Sequence, residues 1–157
     1  MLILLDIDGV MVPANSWKRP EFHIDGFPVF TKNSVESLNY ILSETKARIV
    51  LTTSHKFKYS LAEWRSIFEN RGVQIDVMGR LAESILNLDR KTELLQWYAI
   101  KDPIREDFVI IDDDKMLNGL PSYLKDNLVL TSSSVGLNRE LAEVVISKLK
   151  HHNNFAY

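Results

Sequence analysis

The feature of this sequence that most restricts its fold is a series of short apolar runs, each followed directly by polar residues. The runs are Leu2–Leu5, Arg48–Leu51, which is apolar after its first residue, and Phe108–Ile111. A run without a polar face is typical of a strand that is buried on both sides, as strands are in a parallel sheet. Segments with helical spacing of apolar residues separate the runs, and this alternation favours a parallel, doubly wound sheet.

The intervening segments predict most of the remaining secondary structure. Thr31 is suited to cap a helix, and Gly72 is suited to end a second one. The apolar face of that second helix is predicted to consist of Phe57, Leu61, Trp64 and Phe68. Two further strands are predicted at 73–77 and 128–130. Helical segments are predicted at 80–88, 91–100 and 138–149.

Residues 10–30 stand apart from this pattern. They contain three prolines and the turn pair Asp25-Gly26, which predicts an irregular flap with a hairpin. We therefore predict an α/β fold, a doubly wound three-layer sandwich around a mainly parallel sheet. A chain of 157 residues suits one domain, which we place at residues 1–150, with the flap at 10–30 as an insertion and a C-terminal tail at 151–157.

Composition excludes several classes of protein. The formal net charge of -2 argues against a strongly basic nucleic-acid-binding protein, although it is compatible with a local basic groove. The chain has no cysteine, which excludes a disulfide framework, a thiolate zinc site and a cysteine nucleophile. The apolar run Leu2–Leu5 is too short for a signal peptide or a membrane span. We expect a cytoplasmic protein without a membrane partner.

Three of the predicted strands end in polar clusters. These clusters are Asp6 with Asp8, Thr52–Ser54, and Asp112–Asp114. In an open parallel sheet the carboxyl ends of the strands line one crevice, where ligands bind. A single cluster is also compatible with a turn or a helix cap, but three at equivalent strand ends indicate a shared site.

The residue types in these clusters suit phosphoryl transfer. Asp6 can attack phosphorus and form an aspartyl-phosphate, but two like charges at close range repel each other by about 4 kcal/mol in a protein-like dielectric. A magnesium ion held by Asp6 and Asp112 would offset this repulsion. Lys91 can place a positive charge on the phosphoryl oxygens. Thr52 can donate its hydroxyl to them, and Thr53 is a further phosphate-binding candidate.

Asp8 is placed for a different task. Residues two apart on an extended strand end point the same way, so Asp8 can lie beside Asp6. It can then act as the acid for the leaving group and as the base for the hydrolytic water. Gly9 follows and allows a sharp turn.

In their order, these segments resemble the four motifs of the haloacid dehalogenase (HAD) superfamily of phosphohydrolases. The first motif, an apolar run that leads into DxDG, matches Leu4–Val10, and the second, an apolar strand that ends in a hydroxyl residue, matches Ile49–Thr52. The third, a basic residue near the start of a helix, matches Lys91. The fourth, an apolar strand that ends in an acidic pair, matches Val109–Asp113. The stretches DIDGV, LTTSH and IIDDD and the segment Val135–Asn138 further resemble the HAD domains of Swiss Army Knife RNA repair proteins. The tryptophan that usually follows the second motif is absent, and His55 lies in that neighbourhood.

The resemblance implies a magnesium-dependent phosphatase of phosphate monoesters. Asp6 would be the nucleophile and a metal ligand, and Asp8 the acid/base and a metal ligand through its carbonyl. Asp112 would bind the metal, with Asp113 assisting directly or through water. For the phosphate-binding base, we prefer Lys91 over the preceding residue because the position of Lys91 suits the register of the helix that follows.

That neighbour, Arg90, is the rival for the third motif. The stretches that could hold a cap domain are short, so the resemblance also implies an open site, which suits bulky substrates such as a polynucleotide end or a phosphoprotein. Basic and aromatic residues that could contact such a substrate are Trp17, Lys18 and Arg19 in the flap, and His55, Lys56 and Lys58 after the second strand. Solvated lysines are the competing interpretation. Two other functions stay open, a catalytically silent binding domain and a phosphatase of small metabolites or nucleotides.

Overall fold

The computed structural model of the chain describes residues 1–14, 19–82, 89–100 and 106–151. Its strands are β1 (Leu2–Leu5), β2 (Arg48–Leu51), β3 (Met78–Arg80), β4 (Phe108–Asp112) and β5 (Leu128–Leu130). Its helices are α1 (Lys32–Thr45), α2 (Leu61–Asn70), α3 (Arg90–Ala99), α4 (Ser122–Lys125) and α5 (Arg139–His151), with a short 3-10 helix at Lys115–Gly119. Strands and helices alternate as predicted.

The five described strands form one sheet in the order β3-β2-β1-β4-β5, and all pairs are parallel. Leu5 lies opposite Leu51 on one side and Ile111 on the other. The last residues of the three central strands therefore lie side by side, which brings the polar residues that follow them to one edge of the sheet.

The side chains of the strands alternate between two separate apolar layers. Ile3 and Leu5 belong to the larger layer, which α1, α2 and α5 cover, whereas Leu2 and Leu4 belong to the layer under α3 and α4. Each fully buried leucine or isoleucine contributes about 1.5–3 kcal/mol of transfer free energy. The predicted three-layer α/β sandwich is confirmed.

Side-chain caps set where the helices begin. Thr31 accepts a hydrogen bond from the Ser34 N–H at 3.1 Å, as predicted for the start of α1. Ser60 and Glu63 form a reciprocal capping box at the start of α2, and Gly72, with φ of 86°, follows its last turn. Asp89 caps α3, so that helix begins at residue 90.

Two predictions from apolar spacing were wrong. The third strand lies at Met78–Arg80 rather than 73–77, because Val73 and Ile75 fill the core from an irregular connection while Val77 is 55% exposed. Phe57 does not lie on the apolar face of α2. It precedes the capped helix, is 43% exposed, and packs against the Arg80 guanidinium at 4.5 Å from its ring centre.

Other boundaries differ less. Residue 80 ends β3 instead of starting a helix, and residues 83–88 lie outside the described part of the chain. The short 3-10 helix and α4 were not predicted, since their apolar pattern is too brief to show a period.

The flap contains the predicted turn. The His23 N–H donates to the Phe27 carbonyl at 2.8 Å, and Gly26 adopts a φ of 84°. Asp25 then forms a two-point ion pair with Arg71 after α2, at 2.6 and 2.8 Å. The described part of the flap is therefore fastened to the helical layer. Trp17 and Lys18 lie outside the described residues.

The connections that could hold a cap are short. Residues 6–31 join β1 to α1, and residues 81–89 join β3 to α3, lengths below those of independent domains. Among the described residues, no helix is long and apolar enough to cross a membrane.

Candidate active site

Three carboxylates meet at the carboxyl edge of the sheet. One oxygen from each of Asp6, Asp112 and Asp113 lies within 4.8 Å of the others. Asp6 is 5% exposed and Asp112 is fully buried. Parallel pairing explains this convergence, because Asp6 follows β1 and Asp112 ends the adjacent β4.

Main-chain hydrogen bonds extend beyond the strands and fix the first residues of each cluster. The Asp6 N–H donates to the Ile111 carbonyl at 3.0 Å, and the Thr52 N–H donates to the Leu5 carbonyl at 3.0 Å. Both side chains thus start from a rigid backbone. Thr52 and Thr53 are buried at the same edge.

The positive charge in this cluster comes from Arg90. Its Nη1 lies 2.5 Å from Asp112 Oδ2 and 3.4 Å from Asp6 Oδ1, and 3.5 Å from the Thr52 hydroxyl. Lys91, the residue preferred on sequence grounds, lies against the 3-10 helix instead. A Cβ atom added at Gly119 would be only 3.1 Å from the Nζ atom of Lys91. The structure therefore brings Arg90 to the carboxylates. The Asp89 cap explains this, since it places residue 90 on the first turn facing the sheet edge.

The electrostatics of the cluster are unbalanced. Burial and the neighbouring charge of Asp112 raise the pKa of Asp6 to about 8, although Arg90 acts in the opposite direction. Burial also raises the pKa of Asp112, again against the effect of Arg90. One guanidinium thus does not compensate three carboxylates.

This excess of negative charge fits a divalent cation. Carboxylate oxygens are the ligands that Mg²⁺ prefers, usually with water and substrate oxygens completing its shell. Asp6, Asp112 and Asp113 supply such oxygens at the spacing given above, and the burial of Asp6 and Asp112 keeps water from solvating their charge. The donor set is therefore suited to magnesium.

Asp8 lies outside this three-carboxylate cluster. Its side chain is 52% exposed and its Oδ2 lies 3.2 Å from His55 Nε2. Ile7, between the two aspartates, is fully buried, as expected where alternate residues face opposite ways. Asp8 is thus the solvent-facing carboxylate of the site, and the role of its carbonyl as a metal ligand stays a prediction.

The turn after β2 is held by buried polar contacts. The Thr53 hydroxyl accepts from the His55 N–H at 3.3 Å. Lys56 is only 6% exposed, and its Nζ lies 2.8 Å from a Glu93 carboxylate oxygen on α3. Lys56 is therefore neither a solvated lysine nor free for a polymer backbone. Arg19 and Lys58 are exposed.

The loop after β5 contributes residues that sequence reasoning missed. Ser133 Oγ donates to Asp113 Oδ2 at 2.9 Å, and Thr131 Oγ1 donates to the Gly9 carbonyl at 2.7 Å. Gly9 has a φ of 81°, and a Cβ there would lie 2.0 Å from Asp113 Oδ2. The glycine thus makes room for the carboxylate. The run of hydroxyl residues at 131–134 after a strand was the signal that could have found these contacts.

Comparison with known proteins agrees with the geometry. The sequence pattern of one family, described as "HAD domain in Swiss Army Knife RNA repair proteins", matches residues 2–142. The match spans all five strands and every aspartate described above. No curated protein and no solved structure matches the chain.

Proposed function

Because the chain belongs to the family of HAD domains found in Swiss Army Knife RNA repair proteins, we propose that it is a magnesium-dependent phosphohydrolase acting on phosphate monoesters. The observation that supports this most directly is the cluster of Asp6, Asp112 and Asp113 with oxygens within 4.8 Å of one another. Arg90 adds the phosphate-binding positive charge to that cluster.

The first half of the proposed reaction belongs to Asp6. One of its carboxylate oxygens forms a bond to phosphorus, and the bond from phosphorus to the leaving-group oxygen breaks. Asp8, in its protonated form, gives its proton to that oxygen, so that the product leaves as an alcohol. Asp6 is the only one of the two whose side chain is buried, which suits a nucleophile that is shielded from water until substrate binds.

The second half regenerates the enzyme. Asp8, now a carboxylate, accepts a proton from a water molecule whose oxygen bonds to phosphorus. The bond between Asp6 and phosphorus breaks, and inorganic phosphate leaves. Throughout, the guanidinium of Arg90 and the hydroxyl of Thr52, 3.5 Å apart, are placed to bind phosphoryl oxygens.

The metal would be held by the carboxylates of Asp6, Asp112 and Asp113. When bound, Mg²⁺ supplies charge neutralisation between the anionic nucleophile and the anionic phosphate. The raised pKa of Asp6, about 8, is the property that a nearby cation would reverse, because a positive charge favours the ionised carboxylate.

For the substrate, we propose a phosphorylated polynucleotide end. The family description supports this choice through its mention of RNA repair. The open side of the site supports it too: Asp8 and His55, on the side where the leaving group would lie, are 52% and 47% exposed, and the connections at 6–31 and 81–89 are short. A long leaving group can therefore extend into solvent.

The first experiment separates an enzyme from a silent binding domain. Release of p-nitrophenol from p-nitrophenyl phosphate is measured with magnesium and with EDTA, for the wild type, Asp6→Asn and the matched control Asp76→Asn, which changes an exposed aspartate. We expect activity only with magnesium, and a loss of about 10³-fold or more in Asp6→Asn alone, since the variant lacks the covalent nucleophile. A folded wild type that releases no product under any condition would favour the silent domain.

The second experiment addresses the substrate. Phosphate release is compared for 3′- and 5′-phosphorylated oligonucleotides, a phosphopeptide and nucleoside monophosphates at equal concentration. A higher kcat/KM for one of the oligonucleotides is the expected result. Preference for a monophosphate would instead indicate a phosphatase of small metabolites.

A further inference from the structure

We infer that His55 is a positioning residue for the leaving-group step, holding the carboxyl group of Asp8 through one oxygen so that the other is available to the substrate. The inference rests on the proposed phosphohydrolase function. It assigns a role to a residue of the turn after β2 that the proposed reaction does not otherwise use.

The contact itself is specific in its atoms. His55 Nε2 lies 3.2 Å from Asp8 Oδ2. The contact joins one oxygen of the carboxyl group to an imidazole nitrogen that can carry a hydrogen. The contact engages Oδ2 and leaves Oδ1 of the same carboxyl group for another partner.

The backbone that carries His55 is fastened at both ends of the residue. Its N–H donates to Thr53 Oγ1 at 3.3 Å, and its carbonyl accepts from the Lys58 N–H at 2.8 Å. Thr53 is fully buried. The imidazole therefore starts from a fixed turn rather than from a free loop.

The next residue fixes this turn to the rest of the protein. The Lys56 carbonyl accepts from Trp64 Nε1 at 3.1 Å and from Arg80 Nη1 at 3.0 Å. The Lys56 ammonium pairs with Glu93 at 2.8 Å. Such supporting contacts hold a functional side chain within a narrow range of positions, which is what the orientation of an acid requires.

The exposure of the two aspartates shows what the contact with His55 adds. Asp6 is 5% exposed and has buried walls to orient it. The Asp8 side chain is 52% exposed, so an unpartnered carboxyl group at this position would rotate among several rotamers. His55 restricts that rotation at a half-exposed acidic group.

The orientation of Asp8 by His55 assists one step, the transfer of the Asp8 proton to the leaving-group oxygen. As the bond from phosphorus to the leaving oxygen breaks, the proton on Asp8 Oδ1 moves to that oxygen, and Asp8 becomes a carboxylate whose Oδ2 keeps its contact with His55. A p-nitrophenolate leaves as a stable anion and needs little help from an acid, whereas an alkoxide needs the proton. The importance of His55 should therefore grow with the basicity of the leaving group.

The test compares two substrates in three proteins. We measure kcat/KM for p-nitrophenyl phosphate and for an alkyl phosphate, 2-phenylethyl phosphate, with the wild type, His55→Ala and His55→Gln. The ratio kcat/KM reports steps up to formation of the aspartyl-phosphate, so it excludes the later use of Asp8 as a base. The thermal midpoint of each protein is recorded with the kinetics.

In His55→Ala, we expect kcat/KM for the alkyl phosphate to fall about tenfold more than that for p-nitrophenyl phosphate, a part of the 10²–10⁴-fold that general acid catalysis supplies. Gln retains an N–H donor and should recover most of the difference. Equal losses for both substrates in His55→Ala, or no loss, would overturn the role of His55 while leaving the phosphohydrolase function intact. A folded wild type that cleaves neither substrate would overturn the proposed function, and the inference with it.

Discussion

Arg90 Nη1 lies 2.5 Å from Asp112 Oδ2, so the first residue of α3 reaches across to the last residue of β4. The same nitrogen lies 3.4 Å from Asp6 Oδ1. This single side chain therefore contacts both carboxylates that the proposed reaction needs most, which is the basis for proposing Arg90 as the phosphate-binding cation.

The first prediction compares the two neighbouring cations. Arg90→Gln should lower phosphatase kcat/KM by about 10²-fold or more, because it removes the charge next to the reacting phosphate. Lys91→Gln, the matched control, should change it by less than about threefold, because the Lys91 ammonium lies against Gly119 rather than in the carboxylate cluster. Initial rates of phosphate release give both values. A larger loss of kcat/KM in Lys91→Gln than in Arg90→Gln would identify Lys91 as the phosphate-binding residue.

The second prediction concerns pH and the metal-free protein. Burial and Asp112 raise the pKa of Asp6 to about 8, whereas an aspartate in an unfolded chain has a pKa of about 4. Between these values the folded protein keeps a proton that the unfolded chain has released, so its stability falls as the pH rises through this window.

Asp6→Asn removes the titrating carboxyl group, and with it the part of the pH dependence of stability that comes from Asp6. In EDTA, we expect the thermal midpoint of Asp6→Asn to exceed that of the wild type at alkaline pH, and the difference to shrink towards acidic pH. Asp76→Asn is the control and should follow the wild type. A difference that does not depend on pH would contradict the assignment to Asp6.

The third prediction concerns the fastening of the flap. Arg71, whose side chain is 3% exposed, pairs with Asp25, and this contact holds the pKa of the Asp25 carboxyl well below its usual range. Asp25→Asn should reduce the free energy of unfolding at neutral pH by about 2 kcal/mol, the size expected for a hydrogen bond to a charged partner. Urea denaturation measures this difference.

The sign of its pH dependence follows from the lowered pKa. The stabilisation from Asp25 is present above the unfolded pKa and is lost as the pH falls towards the folded value, so the two proteins should converge in acid. Glu36→Gln, which breaks the exposed pair with Lys32, is the matched control and should cost about 0.5 kcal/mol or less. Equal costs for the two variants would show that the Arg71 contact is not a fastening point.

The fourth prediction separates backbone strain from crowding. Gly9 and Gly26 have φ of 81° and 84°, and a Cβ would meet Asp113 Oδ2 at 2.0 Å in the first case and nothing within 4 Å in the second. Alanine at either position should carry the left-handed backbone penalty of about 1–2 kcal/mol. Only Gly9→Ala should also weaken the thermal stabilisation by magnesium, because it displaces a metal-binding candidate. Equal responses to magnesium would refute the link to Asp113.

The sequence predicted the parallel sheet and the convergence of Asp6 and Asp112 at its edge, because the relevant signals are local. The run Leu2–Leu5 followed by Asp6, and the run that ends at Asp112, each combine a buried strand with a polar end, and parallel pairing then forces the ends together. The family match over residues 2–142 agrees with the motif order.

The choice between Arg90 and Lys91 could not be made locally. One residue along a helix rotates a side chain by about 100°, so the outcome depends on where the Asp89 cap starts the helix relative to the sheet. The contact between Asp8 and His55 joins loops that are distant in sequence, and the hydrogen bond from Ser133 to Asp113 comes from a strand end that carries no acidic residue. A run of hydroxyl residues after β5 marks that loop as a candidate, but spacing along the chain does not show which side chain it meets.

The buried ion pair between Lys56 and Glu93 has a consequence for how this crevice can change. Lys56 follows His55 on one wall, and Glu93 lies one helical turn from Arg90 on the other. Because removing one partner leaves the other charge buried and uncompensated, the stability of the fold depends on the two residues jointly. Natural variation at these two positions should therefore occur in concert, with both charges kept, exchanged or lost together.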